Sequence, residues 1–132
     1  MFNTLRKRLR SEKGFTLIEL LVVMIILAIL TAIAIPSYLS FKDRANKAAA
    51  GADVRSIIPS VESYFSDNGT YVGMTVTNLK SNYDQAINVG TYTIPAASLS
   101  STHYCVQAVS PNQTAFKDGP SAQIVTGAGN CP

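Results

Sequence analysis

The sequence predicts an α+β protein: one long N-terminal α-helix, membrane-spanning in its first half, packed by its second half on a small antiparallel β-sheet. Three observations carry this. Residues 15–35 form an apolar run that contains a single ionisable side chain, Glu19. An amphipathic helical pattern continues to about Asp67. The remainder breaks into short β-prone runs punctuated by Pro, Gly and Asn. With 132 residues there is room for one domain after the apolar segment.

The apolar run comes first because it constrains most. At about 1.5 Å per residue it makes a helix roughly 30 Å long, the thickness of a bilayer's hydrocarbon core. A carboxylate at mid-bilayer costs about 2.5–3.5 kcal/mol on insertion scales, somewhat less near the edge where Glu19 sits. An intramembrane charge of that cost needs a partner.

Charge is divided unevenly. The chain carries 11 Lys and Arg against 8 Asp and Glu, a formal +3. Arg6, Lys7, Arg8, Arg10 and Lys13 stand against Glu12 before the apolar run, so the surplus belongs to this leader. Without residues 1–14, six basic and seven acidic side chains remain, a formal −1. A basic leader ahead of an apolar helix reads as cytoplasmic, which places the chain beyond Pro36 across the membrane. Lys42, Arg44 and Lys47 flank the other end, so the bias is modest.

After Pro36 the helix continues. Tyr38, Phe41, Ala45, Ala48 and Ala52, then Val54, Ile58, Val61 and Phe65, recur at mostly three- and four-residue spacing as one apolar stripe. Lys42, Asp43, Arg44, Lys47, Asp53 and Arg55 occupy other faces. Ala48-Ala49-Ala50-Gly51-Ala52 lets another backbone approach closely. Pro36 and Pro59 each remove a backbone donor, so a kink or loosened turn is expected at both; the plainer reading of Pro36 is a helix boundary at the membrane edge. Asp67-Asn68-Gly69 ends the helix, with Gly69 suited to a left-handed C-terminal position. Residues 72–90 read as a connection with one helical turn around Val76–Tyr83. Strand signals follow at Thr91–Ile94, Tyr104–Val109, Thr114–Lys117 and Ala122–Thr126.

Catalytic chemistry is not written here. His103 is the only histidine, and no carboxylate pair, phosphate loop or nucleophile elbow accompanies it. Asp84 and Asp118 are the only acids of the sheet region, too sparse for calcium. No metal or cofactor is expected. Beyond residue 60 the cations are Lys80 and Lys117, too few to track phosphates, so direct nucleic-acid binding is not expected. Tyr38, Phe41, Tyr64, Phe65 and Tyr71 read as core residues of a helix face and its neighbourhood. Asn68-Gly69-Thr70 and Asn112-Gln113-Thr114 match the glycosylation tripeptide, a pattern common by chance.

Cys105 and Cys131 are the two cysteines and lie in the exported part, where disulfides persist. One intramolecular pairing is available to them; free thiols, an intermolecular bridge and, more remotely, a metal site are the other readings.

Gly14-Phe15-Thr16-Leu17-Ile18-Glu19, with the apolar residues that follow, resembles the class III signal segment of type IV pilins and of the pseudopilins of type II secretion and competence systems. The resemblance is specific over residues 13–36 and architectural beyond, with a weaker local match at Tyr64–Tyr71. It implies cleavage between Gly14 and Phe15 by a membrane prepilin peptidase and N-methylation of Phe15. It also implies that Glu19, poorly satisfied in the lipid of a free subunit, pairs with the Phe15 amine of a neighbouring copy during assembly. Pro36 falls where the family places a helix-loosening proline, and Cys105 with Cys131 would close a C-terminal disulfide loop. The implied organisation is a cleaved leader over 1–14, a transmembrane or filament-core half over 15–36, an amphipathic half over 37–68, and a loop, sheet and disulfide-closed region over 69–132. The implied partners are membrane lipid, the peptidase and methyltransferase, an assembly platform in the membrane, and further copies of the chain in a helical filament. The implied location is the cytoplasmic membrane, as a single-pass precursor with its N-terminus cytoplasmic, and then an extracellular pilus. The filament would serve motility, adhesion or DNA uptake.

Four other readings share parts of this pattern. A pseudopilin shares every N-terminal feature. A non-polymerising, membrane-anchored binding domain needs only the apolar run, as does a plain uncleaved anchor. A secretory signal peptide could be cut after Ala32-Ile33-Ala34, but the run exceeds the usual ~7–15 residues and Glu19 has no purpose there.

Overall fold

A single α-helix, Leu17–Asn68 (α1), dominates the computed structural model, which describes residues 14–127 and 129–132. The basic leader of residues 1–13 lies outside the described residues. The helix starts two residues later than the sequence pattern suggests, because Thr16 stops the chain there and caps it: the Glu19 amide donates to the Thr16 hydroxyl at 3.3 Å. It runs unbroken through Pro36 and Pro59, so Pro36 is not a helix boundary. At its far end the Gly69 amide donates to the Phe65 carbonyl at 2.7 Å and Gly69 turns the backbone at φ +67°, the left-handed geometry expected of it.

The chain divides into two compact units, one ending at Leu39 and one running from Ser40 to Pro132. In the first, every described side chain is exposed, including Leu17, Met24, Ile29 and Ile35. A continuous apolar surface of this kind marks contact with lipid or protein. The hydroxyls inside it are satisfied locally. Thr31 donates to the Leu27 and Ala28 carbonyls, and Ser37, beside the donor-less Pro36, donates to Ile33.

The second unit holds the core. After α1 come a short helix, Val76–Asn82 (α2), capped by the Thr75 hydroxyl, and four strands: Tyr92–Thr93 (β1), Cys105–Ser110 (β2), Gln113–Asp118 (β3) and Val125–Gly127 (β4). They form one antiparallel sheet in sequence order, β1-β2-β3-β4. Ala50, Val54, Ile57 and Val61 of α1 meet Tyr71, Met74 and Leu79 on the connection and Tyr104, Val106, Ala108 and Ala115 on the sheet side. This corrects the stripe read from the sequence. Tyr38, Phe41, Ala45, Ala48 and Ala52 are exposed, and the buried line begins at Ala50. The reason is phase: Ala50, Val54, Ile57 and Val61 keep one helical face, whereas the earlier residues lie on a different one and precede the domain that could cover them. Two aromatics read as core, Tyr38 and Phe41, are therefore surface residues, while Tyr71 is buried and Tyr64 and Phe65 are partly so.

Glycine at position 51 gives β4 room to pack closely. It sits buried mid-helix, where glycine costs about 1 kcal/mol against alanine, and a Cβ there would stand 3.0 Å from the Thr126 methyl of β4. The helix accepts a weak residue so that β4 can lie close.

One polar cluster spans the core edge. Glu62 accepts the hydroxyls of Tyr71 at 3.2 Å and Tyr104 at 3.4 Å, and Tyr71 stacks on Phe65. Burial first, and then the adjacent carboxylate, push the Tyr71 hydroxyl up from its ordinary value of 10.0 to about 12; the Tyr104 hydroxyl is pushed higher still by the same causes. The folded state thus favours the neutral phenols. Their contribution to stability is complete below about pH 10, the unfolded value, and is lost as the pH rises through about 12. Glu62→Gln is expected to bring Tyr71 ionisation to lower pH and to lessen the loss of stability between about pH 10 and 12. Tyrosinate absorbance followed through an alkaline titration checks it; an unchanged profile would remove Glu62 as a cause.

Candidate functional site

The residues singled out by sequence fall at two places, one at each end of the chain. At the first, no heavy atom of the described residues beyond its chain neighbours lies within 4 Å of where a Cβ on Gly14 would be, and Phe15 is 77% exposed. Thr16 then caps α1, and Glu19 stands in its first turn.

The structure adds a role for Thr16 that the sequence reading missed. Thr16-Leu17-Ile18-Glu19 is the T-x-x-E pattern of a capping box. Here the Thr16 hydroxyl accepts from the Glu19 amide and donates to Glu19 Oε2 at 3.4 Å. The pattern was present, but the carboxylate was read as a charge in search of an ion partner. The geometry adds a single contact to the carboxylate. Glu19 has one long hydrogen bond and the favourable field of the helix N-terminus, though no cation lies within ion-pair distance among the described residues. A carboxylate with one such bond has room for further donors.

Below Glu19, Leu17, Leu20, Leu21, Met24, Ile25 and Ala28 line a shallow apolar groove along one face. Their spacing of three and four residues makes a seam that another helix or lipid chains can fill.

At the other end, Cys105 and Cys131 are disulfide-bonded, with Cα atoms 5.8 Å apart. Cys105 and Gln107 share the outer face of β2, and both hold the tail. The Cys131 amide donates to Gln107 Oε1, and Gln107 Nε2 donates to Asn130 Oδ1, both at 3.1 Å. The Thr114 hydroxyl is also 2.9 Å from the Gly127 and Gly129 carbonyls. The bridge thus locks the tail across the sheet.

His103 lies just before β2, with Nδ1 3.0 Å from the Ser98 carbonyl and Nε2 3.1 Å from Asp118 Oδ1. A carbonyl can only accept, so Nδ1 carries a proton. The contact with Asp118 has ion-pair distance without hydrogen-bond alignment, and no second ligand joins it. The two cations beyond residue 60 are also taken. Lys117 is nearly buried and donates to the Pro120 and Ala122 carbonyls, and Lys80 donates to Ile87.

Comparison with known proteins gives two matches to family models. One described as "Prokaryotic N-terminal methylation motif" covers residues 9–35, and one described as "Type IV minor pilin ComP, DNA uptake sequence receptor" covers residues 36–119. The chain is 37% identical over 104 residues to the type IV wide pilus major component PilA4 of Thermus thermophilus, which is 74% of this chain and 73% of that protein. It is 40% identical over 62 residues to the type II secretion system core protein G of Pseudomonas aeruginosa, 47% of this chain and 44% of that protein. To the type IV major pilin protein PilA of Myxococcus xanthus it is 39% identical over 60 residues, 46% of this chain and 27% of that protein.

Proposed function

We propose that this chain, which belongs to the type IV pilin family, is a structural subunit that polymerises through α1 into a surface filament. The observation that carries the proposal is the Gly14–Phe15 junction one turn ahead of Glu19, at the head of an apolar helical segment whose every described side chain as far as Leu39 is uncovered. Cleavage there removes the basic leader and creates an amine at Phe15. In the membrane, α1 anchors the precursor, its N-terminus cytoplasmic, with lipid filling the apolar seam. In the filament, other copies replace lipid, and the Phe15 amine of each arriving copy meets the Glu19 carboxylate of a neighbour. Pro36 leaves the Ala32 carbonyl without its i+4 donor and gives α1 a point at which to loosen as it packs.

The partners on this reading are further copies of the chain, the peptidase that cuts and methylates, and an assembly platform in the membrane. The protein has no catalytic part in the process. One family model is described as a DNA uptake sequence receptor. In this chain Lys80 and Lys117 are committed to backbone carbonyls, so the sheet region is poorly equipped to hold phosphates and direct nucleic-acid binding is left out of the proposal. The likeness to type II secretion core protein G keeps the pseudopilin as the second reading.

Electron microscopy of material sheared from the cell surface, with mass spectrometry of its subunit, tests the proposal. The expected result is abundant fibre whose protein begins at N-methylated Phe15. A subunit beginning at Ile35, or retaining residues 1–14, sinks it; correct processing with only short, cell-retained structures favours the pseudopilin.

A further inference from the structure

Where β2 begins and β3 stops, the second unit holds a contact that filament assembly does not use. Asp118 Oδ1 is buried and lacks a hydrogen-bond partner among the described residues, a costly condition for a carboxylate oxygen. His103 Nε2 stands 3.1 Å from it. What that contact amounts to depends on the protons the ring carries. Nδ1 lies 3.0 Å from the Ser98 carbonyl, which only accepts, so Nδ1 holds a proton whether the ring is neutral or charged. A neutral ring has no second proton, and its Nε2 then turns a lone pair on the carboxylate. A protonated ring turns an N–H on it, with opposite charge behind the bond. The same 3.1 Å separation is thus repulsive in one state and an ion pair in the other.

We propose that His103 and Asp118 form a proton-operated latch: acidification ties the segment 98–103 to the end of β3, and neutralisation of the ring releases it. The surroundings hold the ring against the carboxylate. A Cβ on Gly119 would stand 3.2 Å from His103 Cδ2, so the ring lies close on bare backbone. The His103 amide donates to the Ser100 hydroxyl and the Ser100 amide to the His103 carbonyl, which closes the 100–103 turn. Asp118 is the register partner of Cys105, and the Gly119 amide donates to the Tyr104 carbonyl at 2.7 Å. Asp118 is the one charged group within ion-pair distance of the ring among the described residues. Lys117, next along β3, points to the opposite face and donates to the Pro120 and Ala122 carbonyls, and the Tyr104 hydroxyl goes to Glu62. Ser98 and Ser100 carry no charge, and Cys105 is in the disulfide. The His103 side chain is 45% exposed, so solvent protons reach it. No group of three metal-ligating side chains stands here among the described residues, so a proton, not a metal ion, completes the contact. Histidine changes charge between about pH 5 and 8, so the latch contributes stability at the acid end of that range and loses it as the pH rises. The Ser100 carbonyl accepts the Tyr71 amide at 3.2 Å, so the latched segment also holds the chain that leaves α1.

Amide hydrogen exchange on the full, disulfide-bonded chain in detergent micelles tests the latch. Protection factors, corrected for the intrinsic pH dependence of exchange, are compared at about pH 5.5 and about pH 8, with and without EDTA. In wild type the Ser100 and Gly119 amides are expected to be roughly two- to fivefold better protected at the lower pH, the range of an exposed ion pair. That difference should vanish in Asp118→Asn, which keeps the shape and removes the charge, and in His103→Gln, which takes up no proton. Amides of Ile57 and Val106 report that each variant is folded, and either variant alone decides the matter if the other is not. Wild-type protection at Ser100 and Gly119 that ignores pH overturns the latch, as does a response that survives in a folded variant. A response that EDTA abolishes overturns it too, because the gap then belongs to a metal ion.

Discussion

Glu19→Gln is expected to abolish most filament while leaving membrane insertion intact. The substitution separates the Thr16 contact seen in the structure from the charge pairing proposed for assembly. A glutamine oxygen can still accept from the Thr16 hydroxyl, and the Glu19 amide bond to Thr16 is untouched, so the start of α1 survives. Only the charge is removed. Insertion should if anything improve, because a carboxylate in the apolar segment carries a cost of up to about 2.5–3.5 kcal/mol. Assembly should fail because the Phe15 ammonium would be desolvated against a neutral group; losing one partner of such a pair costs roughly 2–5 kcal/mol, or about 30-fold or more in association. Glu19→Ala removes both cap and charge. If it behaves like Glu19→Gln, the charge matters; if Gln assembles normally and Ala does not, the capping box is the function. Sheared filament quantified against membrane-bound precursor gives the answer.

Loss of the disulfide should produce the largest change in stability. Cys105 and Cys131 close a loop of about 27 residues, which in the chain-entropy model restricts the unfolded state by roughly 3–4 kcal/mol. For a unit of this size that corresponds to a drop of about 15–25 °C in Tm. The paired change Cys105→Ala with Cys131→Ala is the cleaner test, because Cys105 is fully buried and a serine hydroxyl there would need a partner. Thermal unfolding followed by circular dichroism measures the shift. The tail should also become protease-sensitive, since its Gln107 contacts are single hydrogen bonds once the covalent link is gone. A Tm within about 3 °C of wild type would mean that the other tail contacts suffice.

The candidate site was legible to different depths at its two ends. Residues 14–19 could be read directly, because an acid in an apolar run and the motif around it are properties of adjacent positions. What went unread there was the cap beside Glu19, since Thr16 is recognised as its partner only when hydroxyl, amide and carboxylate are considered together. The short strands and the Gly69 exit were also visible, because turn residues act locally and Gly69 adopts the left-handed geometry its position demands. The apolar stripe from Tyr38 was misread. Spacing alone gave an amphipathic face, but which face is covered depends on where the sheet lies, and that is set by contacts between residues far apart in sequence, such as Gly51 against Thr126, 75 positions apart.

The sequence by itself determined the apolar helix, the N-terminal methylation motif, the lone acid and the α+β order of elements, because period, length and charge are one-dimensional quantities. Only the tertiary structure decided that the tail crosses the outer face of β2, that Lys80 and Lys117 are spent on carbonyls, and that Lys47 turns from Asp43 toward β4. Each of these is a competition between partners distant along the chain, and its outcome is fixed by which of them folding brings within about 3 Å.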